Sequence, residues 1–281
     1  MSPVRPTDDV LALAPCFVPV LGFRPRGQHG EHLAGGVGAS LEFEDRRTYA
    51  PGDDVRHVDW QVLARTGELL VRVHREEVQP RIDVLLDTSL SMAVEPEKAQ
   101  SAVDLAALFL ASGESSGFAA RLFCLGRSPR PISTLEFLGE GVEFDGQLPL
   151  GEALAVARPR LSSGGLVLCI SDFLAEHGPG LGGLATDRGA VALLQVLGPW
   201  ESDPKVGEQL RLVDAESAGA RDMTLDAGLV RRYRERLERL GDELSLEARR
   251  LGMRYSRVTA GGELENTARN LLIPTALLAP A

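Results

Sequence analysis

Four short runs, "IDVLL" (82–86), "FAARLFCL" (118–125), "GLVLCIS" (165–171) and "AVALLQVLG" (190–198), are apolar on successive residues instead of alternate ones. A strand with one wet face alternates, whereas a strand covered on both faces does not. Amphipathic stretches separate the runs. From Arg81 onward the chain is therefore predicted to be α/β, with a mostly parallel, Rossmann-like sheet flanked by helices. A chain of 281 residues with 44% hydrophobic content can fill such a core.

The covering helices have their own signals. "EPEKAQSAVDLAALFLASGESS" (95–116) carries acidic residues in its first turn, complementing the helix dipole, and Gly113 and Gly117 are expected to mark its end. "PLGEALAVARPRL" (149–161) reads as a shorter helix after a loop. In "GLVRRYRERLERLGDELSLEARRLG" (228–252), Val230, Tyr233, Leu237, Leu240, Leu244 and Leu251 recur at helical spacings. That stripe suits a coiled-coil partner or docking on the sheet, and docking is favoured because the stripe is short and a last strand, "MRYSRV" (253–258), follows at once. A hairpin insertion is expected near 206–226. Residues 1–80, rich in Gly, Arg and carboxylates, show strand-like alternation only in "ELLVRVHREEV" and are expected to form a small β-rich N-terminal layer; residues 81–281 form the α/β domain.

A formal net charge of −10 and a pI near 5.1 argue against nucleic acid or an anionic membrane as the main partner, because phosphates are repelled at long range. Cys16, Cys124 and Cys169 are odd in number, without CxxC spacing, and two lie in apolar runs, which fits a reducing compartment. No apolar stretch approaches the ~18–20 residues of a spanning helix. The amino terminus, with "TDD" before its apolar segment and Pro15 and Pro19 within it, makes a poor signal peptide. A cytoplasmic protein without membrane insertion is expected.

Two strand ends carry the candidate chemistry. "DTSLSM" (87–92) follows the first buried run and offers Asp87, Ser89 and Ser91, a hard-oxygen set suited to magnesium; the same residues also suit an ordinary turn and helix cap. "LVLCISDFL" places Asp172 at the end of another buried strand. In open α/β sheets ligands bind beyond the carboxyl ends of the strands, so the two carboxylates share an ion only if their strands are neighbours.

"DTSLSM" and "ISD" resemble the metal-ion-dependent adhesion site of von Willebrand factor type A domains. The upstream stretch "GASLEFEDRRTYAPGDDVRHVDWQVLARTGELLVRVHREE" resembles the signature of the bacterial domain-of-unknown-function family 58, which precedes a type A-like domain; the match runs from about Gly35 to Met92 and more loosely beyond. The resemblance implies a von Willebrand factor type A-like fold, no catalytic activity, and work as a protein-binding adaptor. Its implied partner is a MoxR-type AAA+ ATPase in chaperone-like assembly. By position, Asp87, Ser89, Ser91 and Asp172 match the metal motif. The middle motif departs: "FDGQLPLGEAL" has Gln147 and Leu148 where Thr and Asp are usual. Leucine cannot coordinate, so magnesium is expected to bind weakly, in the millimolar range, or only with a partner's carboxylate.

In "RRTYAPGDDVRHVDW" (46–60), Pro51 and Gly52 suit a type II turn, Asp53, Asp54 and Asp59 can pair with Arg46, Arg47 and Arg56, and Trp60 is expected to be a buried anchor. A catalytic carboxylate pair is the sharper alternative, but no nucleophile or positioned base accompanies it. "HGEH" (29–32) lacks the helical zinc-protease spacing, His57, His74 and His177 stand isolated, and "GGVGAS" lacks the Lys-Ser/Thr of a phosphate loop. Two functions remain. One is the non-enzymatic binding module. The other is a magnesium-dependent hydrolase or phosphotransferase with Asp87 as nucleophile, for which the sequence offers neither a second carboxylate two residues on nor a lysine at a strand end.

Overall fold

A computed structural model describes residues 2–21, 45–51, 55, 58–73, 80–162, 165–174, 180–184, 189–207, 209–213 and 220–281. The chain divides into two units, residues 1–26 with 80–281, and residues 27–79. In chain order the elements are α1 (Asp8–Leu13), β1 (Phe17–Pro19), β2 (Asp45–Thr48), α2 (Trp60–Thr66), β3 (Leu70–Val73), β4 (Arg81–Leu86), α3 (Pro96–Ser115), β5 (Ala119–Cys124), β6 (Arg130–Ile132), α4 (Thr134–Glu140) and α5 (Leu150–Ala157). They continue with β7 (Gly165–Ser171), β8 (Ala190–Leu197), α6 (Pro199–Ser202), β9 (Gln209–Val213), β10 (Ala220–Thr224), α7 (Ala227–Arg250), β11 (Arg254–Thr259), α8 (Leu264–Thr267) and β12 (Leu278–Pro280).

The four apolar runs become β4, β5, β7 and β8 of a six-stranded sheet in the order β11-β8-β7-β4-β5-β6. Every neighbouring pair is parallel except β5 and the edge strand β6. Successive residues are apolar because both faces are covered. Ile82, Val84 and Leu86 of β4 point into a core shared with α3 and with Val10 of α1. Leu85 points the other way, into a core shared with Leu154 of α5 and Leu244 and Ala248 of α7. The stripe of α7 docks as expected through Val230, Leu237 and Leu244, whereas Leu251 lies past the helix end at the surface.

Two boundaries differ from the sequence reading. Gly113 lies inside α3, where the helix passes so close to β4 that a Cβ would stand 2.7 Å from Ile82 Cδ1, and the chain leaves the helix at Gly117 with φ +78°. The first 26 residues join the α/β unit instead of an 80-residue N-terminal layer. There β1 pairs antiparallel with β12, a match between distant segments that local pattern does not carry. Within the insertion expected near 206–226, β9 and β10 pair antiparallel.

The second unit pairs β2 with β3 antiparallel and holds α2, whose first turn is capped by the Asp59 carboxylate accepting from Val62 N at 3.2 Å. Trp60, expected to be buried, is 61% exposed, because α2 opens on it and turns it outward. Gly52, Asp53, Asp54, Arg56, all five histidines and "GGVGAS" lie outside the described residues.

Candidate functional site

The sheet order fixes where the strand ends meet. From β4 the chain moves outward through β5 and β6, then returns to β7 on the other side of β4. The neighbours β4 and β7 therefore flank the point where strand order reverses, and the crevice beyond their carboxyl ends is where open α/β sheets bind ligands. Leu86 pairs with Ile170, and Asp87 N continues the ladder by donating to Ile170 O at 2.9 Å. Asp87 and Asp172 thus leave adjacent strands on one edge, which sequence alone left open.

Asp87 is 5% exposed, and both its oxygens are engaged. One accepts from Ser89 N at 2.9 Å and the other from the Ser171 hydroxyl at 2.6 Å. Burial pushes its carboxyl above the usual range, and the Asp172 charge adds to this; the bonds from Ser171 and Ser89 oppose it. The Ser89 and Ser91 hydroxyls lie 3.0 Å apart at the half-buried rim. The capping reading of "DTSLSM" survives within this geometry as the bond from Ser89 N to Asp87, although a short 3-10 turn at Leu90–Ala93 intervenes before α3.

The segment with Gln147 and Leu148 reaches this loop through the residue before them. Gly146 N donates to Thr88 O at 2.9 Å, and Leu90 N donates to Gly146 O at 3.3 Å. A Cβ on Gly146 would stand 3.0 Å from Gly126 Cα and 3.1 Å from Ser89 Cα, both backbone, so any larger residue would press the two loops apart. Gln147 is exposed, and Leu148 packs against the core.

Sequence reasoning missed the cation of the site. Lys98, in the first turn of α3, is fully buried. Its ammonium donates to Asp172 Oδ2 at 2.8 Å, Glu201 Oε1 at 2.7 Å and Ser91 O at 3.1 Å. Burial by itself would lower its pKa; the attraction of Asp172 and Glu201 outweighs this and raises it above the ordinary lysine value. Glu201 belongs to α6 beyond β8, and burial pushes its carboxyl up against the pull of Lys98. The other Glu201 oxygen accepts from Gly198 N at 2.8 Å, and Glu95 accepts from Trp200 N at 2.9 Å and Glu201 N at 3.3 Å. One signal was available: of the 30 Lys and Arg residues only Lys98 and Lys205 are lysines, and Lys98 follows the serine loop directly.

These contacts test the magnesium expectation. The hydroxyl spacing of 3.0 Å suits two adjacent ligands of an octahedron, whose edge is about 2.9 Å for bonds of 2.0–2.1 Å. The rest of the set does not fit. Asp172 holds the ammonium with one oxygen and accepts from Leu174 N at 3.0 Å with the other, and Gln147 and Leu148 add no hydroxyl. Among the described residues no three His, Cys, Asp or Glu side chains gather as a metal cluster, and no helix is long and apolar enough to cross a membrane.

Comparison with known proteins places this geometry in a family. The pattern of DUF58, a family of unknown function, matches residues 45–131. Uncharacterized proteins of Mycobacterium tuberculosis and Mycobacterium bovis are 33% identical to the chain, over 72% of its length and 69% of theirs. Two solved structures are more distantly similar. The conserved hypothetical protein BatB from Bacteroides thetaiotaomicron is 16% identical, with a TM-score of 0.39 over 68% of this chain and 94% of its own. An aerotolerance-related membrane protein from Bacteroides fragilis is 13% identical, with a TM-score of 0.38 over 68% and 95%. At these scores nothing about function passes to this chain. On the identity and coverage of its mycobacterial relatives and the match to the family pattern, the chain belongs to the DUF58 family of proteins of unknown function.

Proposed function

We propose that this protein is a non-enzymatic, cytoplasmic binding module that captures a protein partner at the carboxyl edge of β4 and β7. The edge is read as a degenerate metal-ion-dependent adhesion site on a von Willebrand factor type A-like domain. A MoxR-type AAA+ ATPase, in chaperone-like assembly or activation of a protein complex, is the partner implied by the resemblance of the stretch from Gly35 to Met92.

The observation that carries this reading is the contrast between the centre of the edge and its rim. At the centre, Asp87, Asp172 and Lys98 are buried and bonded to one another's loops. At the rim, Val94 follows the serine loop and is 64% exposed, and Leu174 follows Asp172 and is 38% exposed. Apolar side chains around a saturated polar centre suit docking, where the rim is desolvated by a partner and the centre fixes the shape of the loops. Magnesium is assigned no part in the isolated chain.

The hydrolase reading gains one observation, since Lys98 supplies the strand-end cation that the sequence did not place. An ammonium has three donors, however, and all three are used within the protein. Asp87, with both oxygens accepting hydrogen bonds, is poorly disposed to attack. The test is capture of a purified MoxR-type ATPase by the full chain, with and without ATP. Val94→Asp and Leu174→Asp are expected to weaken capture at least tenfold with unchanged melting temperature. Capture indifferent to both, or phosphatase turnover lost in Asp87→Asn, would reverse the proposal.

A further inference from the structure

We infer that the Lys98 ammonium stands in for the divalent cation of this edge, making the DUF58 fold of this chain metal-independent at the position where its serine loop and strand-end carboxylate suggest a metal.

The geometry is that of a small cation in a shell of oxygens. The ammonium touches one oxygen from each of three loops: Ser91 O after β4, Asp172 Oδ2 after β7 and Glu201 Oε1 after β8. The segments after β4 and β7 are the two that carry the expected metal ligands, Glu201 of α6 adds a third, and the lysine gathers all three from the first turn of α3. Full burial keeps water from competing for the three oxygens. A cation in the first turn works against the helix dipole, so the carboxylates, not the helix, hold it there.

The choice of residue supports the same conclusion. This chain relies on arginine for nearly all its positive charge, yet uses one of its two lysines here. An ammonium is a compact point charge with three donors, close to a metal ion in shape, whereas a planar guanidinium would not converge on three oxygens from three directions. Asp172, the carboxylate expected to steady a metal, already spends one oxygen on this charge. A divalent ion sharing Asp172 would face the ammonium directly and be repelled.

This inference does not rest on the partner-binding proposal, since it concerns magnesium and the isolated chain alone. Calorimetric titration of the full chain with magnesium chloride, paired with thermal melts in magnesium and in chelator, tests it. The wild type is expected to bind no tighter than about 1 mM and to melt identically in both buffers. Lys98→Met keeps the apolar stem and removes the charge; it is expected to bind magnesium at least tenfold tighter than the wild type and to melt higher in its presence. Should Lys98→Met unfold in chelator, rescue of it, or of Lys98→Met with Glu201→Gln, by magnesium supports the inference. Failure of magnesium to rescue either variant overturns it, as does micromolar magnesium binding by the wild type or a folded Lys98→Met that binds no better.

Discussion

Strand β4 holds one buried carboxylate in its amino-terminal half and leads to another just past its carboxyl end, and the two are completed in opposite ways. At the amino end Asp83 accepts from Arg121 Nε at 2.8 Å and Nη2 at 3.1 Å, and from Ser162 N at 2.6 Å. Arg121 lies along Phe123, its guanidinium 5.3 Å from the ring centre, and its side chain is 41% exposed. At the carboxyl end Asp87 touches no cation among the described residues; the nearby ammonium of Lys98 is spent on Asp172 and Glu201 and is sealed from solvent. A cation at the surface can turn to water when its partner is lost, and a sealed one cannot. The carboxyl end is therefore the costly one to disturb.

The largest expected effect follows from that asymmetry. Lys98→Ala strands the buried Asp172 and the half-buried Glu201 as uncompensated charges and should lower the unfolding free energy by about 3–5 kcal/mol in metal-free denaturant titrations. Asp83→Asn should lose about 1–3 kcal/mol, because Arg121 is free to swing outward while Ser162 N keeps an acceptor. Equal losses in the two variants would break the comparison.

Gly146→Ala sharpens it by acting on one end only. The added methyl pushes against the backbone of Gly126 and Ser89, at about 1–3 kcal/mol. Hydrogen exchange should show Gly146 and Leu90 amides losing protection while the Ser162 amide keeps it. Exposure of all three together would mean that the two ends open as one unit.

The smallest effect comes from a third carboxylate, which touches no cation among the described residues. Asp104 on α3 accepts from Thr7 N at 2.8 Å and Gln100 Nε2 at 3.1 Å, and burial pushes its carboxyl up despite both bonds. A raised folded-state value means that the folded protein binds the proton more readily than the unfolded chain. The penalty of ionising Asp104 then appears as pH rises from about 4 through the raised value. Asp104→Asn should gain stability relative to the wild type between pH 4.5 and pH 7. A relative loss over that range would show that the two hydrogen bonds outweigh burial.

Much of this architecture was legible in the sequence. Short runs apolar on nearly every residue, bounded by turn signals, read as strands covered on both faces, and the amphipathic period of 228–252 reads as a helix with one buried side. Asp87 and Asp172 could be placed at strand ends from the same runs. What local pattern could not carry was pairing. The juxtaposition of β4 with β7, the return of β12 to β1, and the bridge from Gly146 to the serine loop each join residues far apart in the chain. Trp60 was misjudged because an aromatic at a helix start is buried or exposed according to which way the helix turns.

Lys98 shows the division most clearly. In sequence it is a lysine in a polar first turn, a position that normally faces solvent. Only the folding of three strand-end loops around that turn makes it a buried cation, since the oxygens that hold it come from Ser91, Asp172 and Glu201. The sequence by itself determined the layers, the strand ends and the presence of a hard-oxygen loop, because these follow from hydrophobic period and residue type. The tertiary structure alone decided which charge fills the centre, because a buried ion is stable only where distant segments bring enough acceptors to it.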